Sequence, residues 1–432
     1  NLLIILIPIS YITGNLLLNL NVLALIFCVF FFFKFNIFKD KLSKIDKLII
    51  ILFLYIIVNG GLNNLFNFNF PNAPNQNIVL LKSILFSRFL ILFFVLKFLI
   101  KKNIINYKLL FFSFGLIGLF VSIDIIIQYV FGKDLFGLES SGRRLSGPFG
   151  DEYIAGSFIQ RFFIFLVFSL LLFLKIEKKL FIQLAFILIV AISVISIFVS
   201  GNRVPLTLFI LSVGLIFFYE KSFRKILFIL LLIFTTIFYY MINSNKNYHS
   251  HYVGFVIKTY QITDYIKTRF LTGESKNLNT YIKEFESGIT TWQENKYFGG
   301  GVKSFYYNCM SMDNSKMKNF RVLRGKINPK GNINCNSHPH NYYLQILAEL
   351  GLLGLFLFIL VFSVILIEAI KKTHSKRGFN LQQKILIPFL IIFITEIFPL
   401  KTTGNFFTTT NATFLFIILS FVVGLIEFKK SK

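Results

Sequence analysis

The residue types best suited to chemistry stand where a polar segment meets an apolar run. His338-Pro339-His340-Asn341 directly precedes the apolar stretch that begins at Tyr342. Because proline is favoured at the first position of a helix, the sequence predicts Pro339 there, with His338 as the N-cap and His340 in the first turn. The free N–H groups of a first turn attract anions, and imidazoles exchange protons near neutral pH. The segment therefore favours phosphate binding or acid–base chemistry, with anchoring of the helix at the membrane interface as the alternative.

A polar stripe continues from this segment into the apolar run. Asn341, Gln345 and Glu349 recur at intervals of four residues, which places them on one face of a helix. Polar side chains inside a membrane span are costly, so the stripe predicts a cavity rather than a surface that faces lipid. Gly351 and Gly354 follow the stripe and would allow a neighbouring helix to approach closely.

Arginines form the second group of candidates. Arg203 ends the turn Ser200-Gly201-Asn202-Arg203 between two apolar runs. Arg143 and Arg144 lie in a polar loop. Arg161 falls in the first turns of the apolar run that follows this loop. A guanidinium group stays charged and binds phosphate through two parallel hydrogen bonds. These residues predict a phosphate site, whereas snorkelling toward lipid headgroups would explain them without one.

Two of the three cysteines, Cys309 and Cys335, lie in the same long polar segment. An oxidising compartment would permit a disulfide between them. The bridge would close a loop of about 25 residues and stabilise the fold by roughly 3 kcal/mol in the chain-entropy model. Because Cys335 stands three residues before His338, the bridge would also brace the histidine segment.

The elements that must position these residues are membrane helices. The 432 residues are 55% hydrophobic and only 15% charged, against a charged share of about 25% in soluble domains. The apolar runs are near 20 residues long and continuous rather than alternating, so they indicate helices and not a barrel. The sequence predicts an all-α polytopic bundle of about twelve spans. The predicted spans are 2–13, 16–33, 48–66, 83–100, 109–131, 154–174, 180–199, 204–219, 226–243, 341–370, 385–398 and 405–426.

Lysine and arginine gather in every second short loop, and this asymmetry predicts the orientation. With twelve spans the basic loops and both termini fall on one side, which is therefore expected to be cytoplasmic. The predicted organisation is nine spans in 1–243, a large outer loop in 244–339 and three spans in 340–432. Short amphipathic helices are expected to lie over the bundle, for example around 278–295. The net charge of +26 follows from the basic loops and does not indicate a nucleic-acid partner.

Several of these patterns together resemble the O-antigen ligase and polymerase family. His340-Asn341, nine residues and then Gly351-Leu352-Leu353-Gly354 resembles its pattern H-[N/S/Q]-x9-G-x-x-G. Other parts of the chain resemble the family's turns and outer loops, namely Ser200-Gly201-Asn202-Arg203, Arg144-Leu145-Ser146-Gly147 and Trp292 with Phe298-Gly299-Gly300-Gly301. The chain departs from the family at Ser287-Gly288-Ile289, because members often carry an arginine shortly before this Trp.

The resemblance implies a glycosyltransferase of the bacterial inner membrane that acts on the periplasmic face. It would move a glycan from undecaprenyl pyrophosphate to a lipid A-core acceptor without a cofactor or metal. His340 and Arg203 would be catalytic, and Cys309–Cys335 the disulfide. The substrate-binding residues would be Arg143, Arg144, His338, Asn341, Arg161 and Glu349. A repeat-unit polymerase of the same family, a polysaccharide transporter or flippase, and a non-catalytic assembly scaffold remain the alternatives.

Overall fold

A computed structural model describes residues 1–66, 77–139, 144–173, 179–271, 280–310, 335–374, 381–402 and 404–428. Within these ranges the regular structure is helical, and β-pairing is confined to one isolated bridge between Lys133 and Glu139. Its α-helices are α1 (Leu2–Ile5), α2 (Ile7–Thr13), α3 (Asn15–Phe33), α4 (Lys44–Phe66), α5 (Asn77–Phe86), α6 (Arg88–Lys101), α7 (Tyr107–Phe131), α8 (Ala155–Phe173), α9 (Lys179–Val199), α10 (Arg203–Tyr219), α11 (Arg224–Ser244), α12 (Lys246–Leu271), α13 (Thr280–Glu294), α14 (Phe305–Met310), α15 (Tyr342–Thr373), α16 (Leu381–Glu396) and α17 (Thr409–Glu427).

Nine helices in the described ranges are long and apolar enough to cross a membrane, with α5 and α6 counted as one. The all-α polytopic architecture is therefore confirmed. The count of twelve spans stays a prediction, because the other three predicted spans coincide with shorter helices: α1 with α2, α10 and α16. The helix predicted around 278–295 corresponds to α13, which lies between the membrane helices α11 and α15 in the chain.

Helices α8 and α17 occupy the centre of the bundle, and in each of them 78% of the residues in the most apolar stretch are buried. Phenylalanine fills the space around them: Phe389 of α16 stacks on Phe421 of α17 with ring centroids 4.4 Å apart. At the end of the bundle where α6 and α17 finish, Lys97 is bound to Asp46 and lies 2.8 Å from Glu427. A buried cation needs such partners, so this network fixes the ends of α4, α6 and α17 together.

Helix α15 is broken at Gly351, whose φ of +68° lies outside the helical range. The segment 296–301 satisfies the backbone groups that the break exposes. Leu352 N donates to Lys296 O at 2.9 Å, and Gly301 N donates to Glu349 O at 2.6 Å. A break at membrane depth requires such substitute partners. Gly351 therefore permits a kink in the backbone, whereas the sequence predicted that this glycine allows a neighbouring helix to pack closely.

Candidate active site

The histidine segment enters α15 later than predicted. Asn341 is the N-cap, and its Oδ1 accepts hydrogen bonds from Tyr343 N at 2.9 Å and Leu344 N at 3.1 Å. His340 has a φ of +50° and lies outside the helix. The prediction of Pro339 at the first position was wrong, because an asparagine cap competes effectively with the proline preference. Two of the first-turn N–H groups, those of Tyr343 and Leu344, are thus bound by the Asn341 side chain.

The polar stripe of α15 makes hydrogen bonds to neighbouring loops. Gln345 donates from Nε2 to Asn405 Oδ1 at 2.8 Å and to Glu349 Oε1 at 3.1 Å. The other carboxylate oxygen of Glu349 accepts from Lys303 N at 2.5 Å. Asn341 and Glu349 are buried away from the cleft described below. Their contacts support the fold, and their binding of substrate stays a prediction.

A cleft of about 520 Å³ gathers the charged candidates from distant parts of the sequence. It is bordered by Arg144, Arg161, Arg203 and His340, and also by Lys401, which stands in no recognisable motif of the sequence. Other charged or phenolic residues in its wall are Tyr11, Glu152, Tyr153, Lys258, Tyr281 and Glu284.

The cleft lies where four helices begin. Ser157 and Arg161 are in the first turns of α8, Arg203 opens α10, His340 precedes α15, and Asn411 follows the start of α17. The positive ends of these helix dipoles are thus directed toward the same end of the bundle. Together with the cationic side chains, they make the cleft favourable to a negatively charged group.

Arg203 is held by a helix that lies over its turn. Its guanidinium donates to His251 O at 3.2 Å and lies over the ring of Phe255 at 5.3 Å. The His251 ring in turn contacts Gly201 O through Nε2 at 2.8 Å. Helix α12 therefore fixes the Ser-Gly-Asn-Arg turn and keeps Arg203 at the cleft.

Arg161 lies at the floor of the cleft and is committed to an ion pair. Its Nε and a terminal nitrogen donate to the two carboxylate oxygens of Glu396 at 2.8 and 2.9 Å. Lys401 donates to the same carboxylate at 2.6 Å. The three buried charges sum to one positive charge beside the cleft. Burial lowers the pKa of Lys401 to about 8, although Glu396 partly opposes the shift.

Arg144 borders the cleft and lies 6.0 Å from the ring centroid of Tyr153. Arg143, the other member of the predicted pair, is outside the residues that the structure describes. The arginine loop thus brings at least Arg144 to the same site as Arg203 and His340.

His340 faces a carboxylate from α13, in the segment between α11 and α15. Its Nε2 lies 3.6 Å from Glu284 Oε1 of α13, and that oxygen also accepts from Asn336 Nδ2 at 2.7 Å. Burial raises the pKa of Glu284 to about 7, against the opposing effects of Asn336 and Lys258. Burial also lowers the pKa of His340, so its imidazole is neutral at pH 7.

His338 does not border the cleft. Its ring centroid lies 4.3 Å from that of His340, and its Nδ1 lies 2.9 Å from Ser337 Oγ. Burial and the neighbouring His340 lower its pKa to about 4. His338 thus packs beside the His340 ring, and its contact with substrate stays a prediction.

Cys309 and Cys335 form a disulfide with their Cα atoms 5.6 Å apart. Cys309 is buried against Phe305 and Ala348. The bridge ties α14 to the chain that leads into the histidine segment.

A family model described as O-antigen ligase matches residues 188–359. The match runs from within α9 to within α15, so it includes Arg203, α13, His340 and the break at Gly351. The resemblance drawn from the sequence is thereby confirmed. A search of curated proteins finds no match.

Proposed function

From the O-antigen ligase domain that this chain carries in residues 188–359, we propose that it transfers a glycan from undecaprenyl pyrophosphate to a lipid A-core acceptor. The family match itself supports glycan transfer of the ligase or polymerase type. One cleft gathers His340, Arg144, Arg203 and Lys401, and this observation supports the proposal that the donor is a lipid pyrophosphate.

The cationic wall of the cleft suits a pyrophosphate. Arg144 and Arg203 supply guanidinium groups, which bind phosphate oxygens through paired hydrogen bonds. Lys401 adds a charge that the network with Arg161 and Glu396 holds in place. As the glycosidic bond breaks, negative charge grows on the leaving phosphate, and preorganised cations stabilise it.

His340 supplies the base for the transfer. The acceptor hydroxyl oxygen forms a bond to the anomeric carbon of the donor glycan, while the bond from that carbon to the phosphate oxygen breaks. The hydroxyl proton passes to the neutral imidazole, and the lipid pyrophosphate leaves with the bonding electron pair. The imidazolium then returns its proton to solvent or to the released pyrophosphate.

The side of the membrane follows from the ends of the helices. The cleft lies where α8, α10, α15 and α17 begin, whereas lysines such as Lys371 and Lys372 lie where α15 ends. By the positive-inside rule the lysine-rich end is cytoplasmic. The cleft is accordingly proposed to open to the periplasm, with both termini in the cytoplasm.

A gel of surface polysaccharide tests this function. A strain that lacks the gene is complemented with the wild type, His340→Ala or, as a matched control, His374→Ala at the opposite end of α15. The ligase proposal predicts that only His340→Ala fails, with polymerised glycan left on the lipid carrier. Lipopolysaccharide capped by a single repeat unit would instead show a polymerase. Full-length lipopolysaccharide with His340→Ala would overturn the proposed role of His340.

A further inference from the structure

Glu284 is an unexpected neighbour for the proposed base. It lies on α13 in the polar segment, 56 positions before His340 in the sequence, yet its Oε1 is 3.6 Å from the imidazole Nε2. The residue is only 4% exposed, and both side chains border the cleft. A buried carboxylate is costly unless it is partnered. Its Oε2 accepts no hydrogen bond among the described residues.

The distance between the two groups suits a shared contact with one hydroxyl. Hydrogen bonds of about 2.8 Å from a single oxygen can reach two atoms that lie 3.6 Å apart. An acceptor hydroxyl bound there would contact both the imidazole and the carboxylate. After proton transfer the imidazolium would lie beside a negative charge, which stabilises it.

The surroundings fix this arrangement from several elements. Asn336 binds Glu284 Oε1 from the chain that follows the disulfide, and Lys258 of α12 acts on the same carboxylate. The imidazole contacts the backbone of Thr402 and the ring of His338. The remaining charged or titratable residues that line the cleft are Tyr11, Arg144, Glu152, Tyr153, Arg161, Arg203, Tyr281 and Lys401.

We propose that Glu284 is the positioning partner of His340: it holds the imidazole and stabilises the imidazolium that forms when the acceptor hydroxyl gives up its proton. This inference rests on the proposed transfer reaction. It assigns a role to α13, a helix of the polar segment that borders the cleft. Two residues from separate elements then make up the proton-accepting group.

The test compares Glu284→Gln with Glu286→Gln. Glu286 lies on the same helix and is equally buried at 4% exposure, but it does not border the cleft. Glycan transfer in membranes is measured across acidic and neutral pH. The wild type should gain activity as pH rises through about 7, where Glu284 loses its proton. Glu284→Gln should lower the rate of glycan transfer about 10- to 100-fold at neutral pH. This loss is a part of the rate increase that acid–base catalysis supplies. The remaining activity of Glu284→Gln should rise at a lower pH than the activity of the wild type does.

A second readout does not depend on transfer. Diethyl pyrocarbonate modifies neutral imidazole, so the pH dependence of His340 labelling, followed by mass spectrometry, reports its pKa. Glu284→Gln should change the labelling curve around pH 7, where the wild-type carboxylate gains its charge beside the imidazole, and Glu286→Gln should not. Glu284→Asp keeps the charge and should restore part of the activity.

The outcomes separate the two proposals. An unchanged labelling curve and pH profile in Glu284→Gln, with His340→Ala inactive, would overturn the role of Glu284 and leave the proposed function in place. An active His340→Ala protein would overturn the function, whatever the labelling shows. Loss of the Cys309–Cys335 bridge would show that Glu284→Gln has misfolded. In that case the labelling curve and the pH profile of Glu284→Asp provide the test.

Discussion

Glu396 binds Arg161 through two parallel hydrogen bonds at 2.8 and 2.9 Å, and neither side chain is exposed by more than a tenth. Removing one partner of a buried ion pair leaves the other charge uncompensated and costs about 3–5 kcal/mol. Glu396→Ala should therefore lower the melting temperature of the detergent-solubilised protein strongly and reduce its amount in membranes. Thermal unfolding followed by circular dichroism measures the change.

The matched control for that loss is Glu368→Ala. Glu368 pairs with Lys371 at 3.0 Å, but both side chains are exposed. Exposed pairs contribute no more than about 1 kcal/mol, so this variant should unfold close to the wild type. Equal melting temperatures for Glu396→Ala and Glu368→Ala would show that the buried pair does not stabilise the bundle.

Lys401 makes the activity sensitive to alkaline pH. Its pKa is lowered to about 8, chiefly by burial, so the side chain is charged at pH 7 and loses its proton as pH rises through 8. The cleft then loses a cation, and the rate at low donor concentration should fall. Lys401→Arg keeps the charge and should move the decline to higher pH, whereas Lys384→Arg, remote from the cleft, should not. Identical pH profiles for the wild type and Lys401→Arg would refute this account.

Much of this site could be predicted because its residues belong to recognisable local patterns. His340, Arg144 and Arg203 each stand in a short motif next to an apolar run, and the cleft brings them together. Glu284 and Lys401 carry no such local signal. Glu284 falls in the amphipathic helix predicted around 278–295, and Lys401 falls between two predicted spans, but no local pattern distinguishes either residue from its neighbours. Their roles arise from burial and from contacts between distant segments, which periodicity does not report.

The helices themselves follow from length and hydrophobicity, but their local breaks and caps do not. Asn341, rather than the predicted His338, caps α15, because its side chain reaches two backbone N–H groups. The spacing of Asn341, Gln345 and Glu349 predicts a polar stripe, but it does not predict the partners of these side chains. The Glu349 carboxylate binds Lys303 N, which comes from a distant segment of the chain.

The kink in α15 gives a prediction about Gly351. Its φ of +68° is unfavourable for a residue with a Cβ, and an added Cβ would collide with the backbone of Tyr297. Gly351→Ala should destabilise the protein by more than the roughly 1 kcal/mol typical of backbone strain alone. Gly214→Ala is the control, because an added Cβ on α10 meets no atom within 4 Å and alanine favours the helix. Similar thermal stability of the two variants would contradict the kink as a structural requirement.

The disulfide gives a prediction that joins stability to activity. Cys309 and Cys335 are 26 positions apart, and a loop of that length is worth roughly 3 kcal/mol in the chain-entropy model. Beyond Cys335 the chain runs to Asn336, which binds Glu284, and then to His340. Cys309→Ser should therefore lower both the melting temperature and glycan transfer, and a reductant should do the same to the wild type. Cys28→Ser, at the free cysteine of α3, is the control and should leave both unchanged. Full transfer activity in Cys309→Ser, despite a lower melting temperature, would show that the bridge stabilises the polar segment without positioning the histidine.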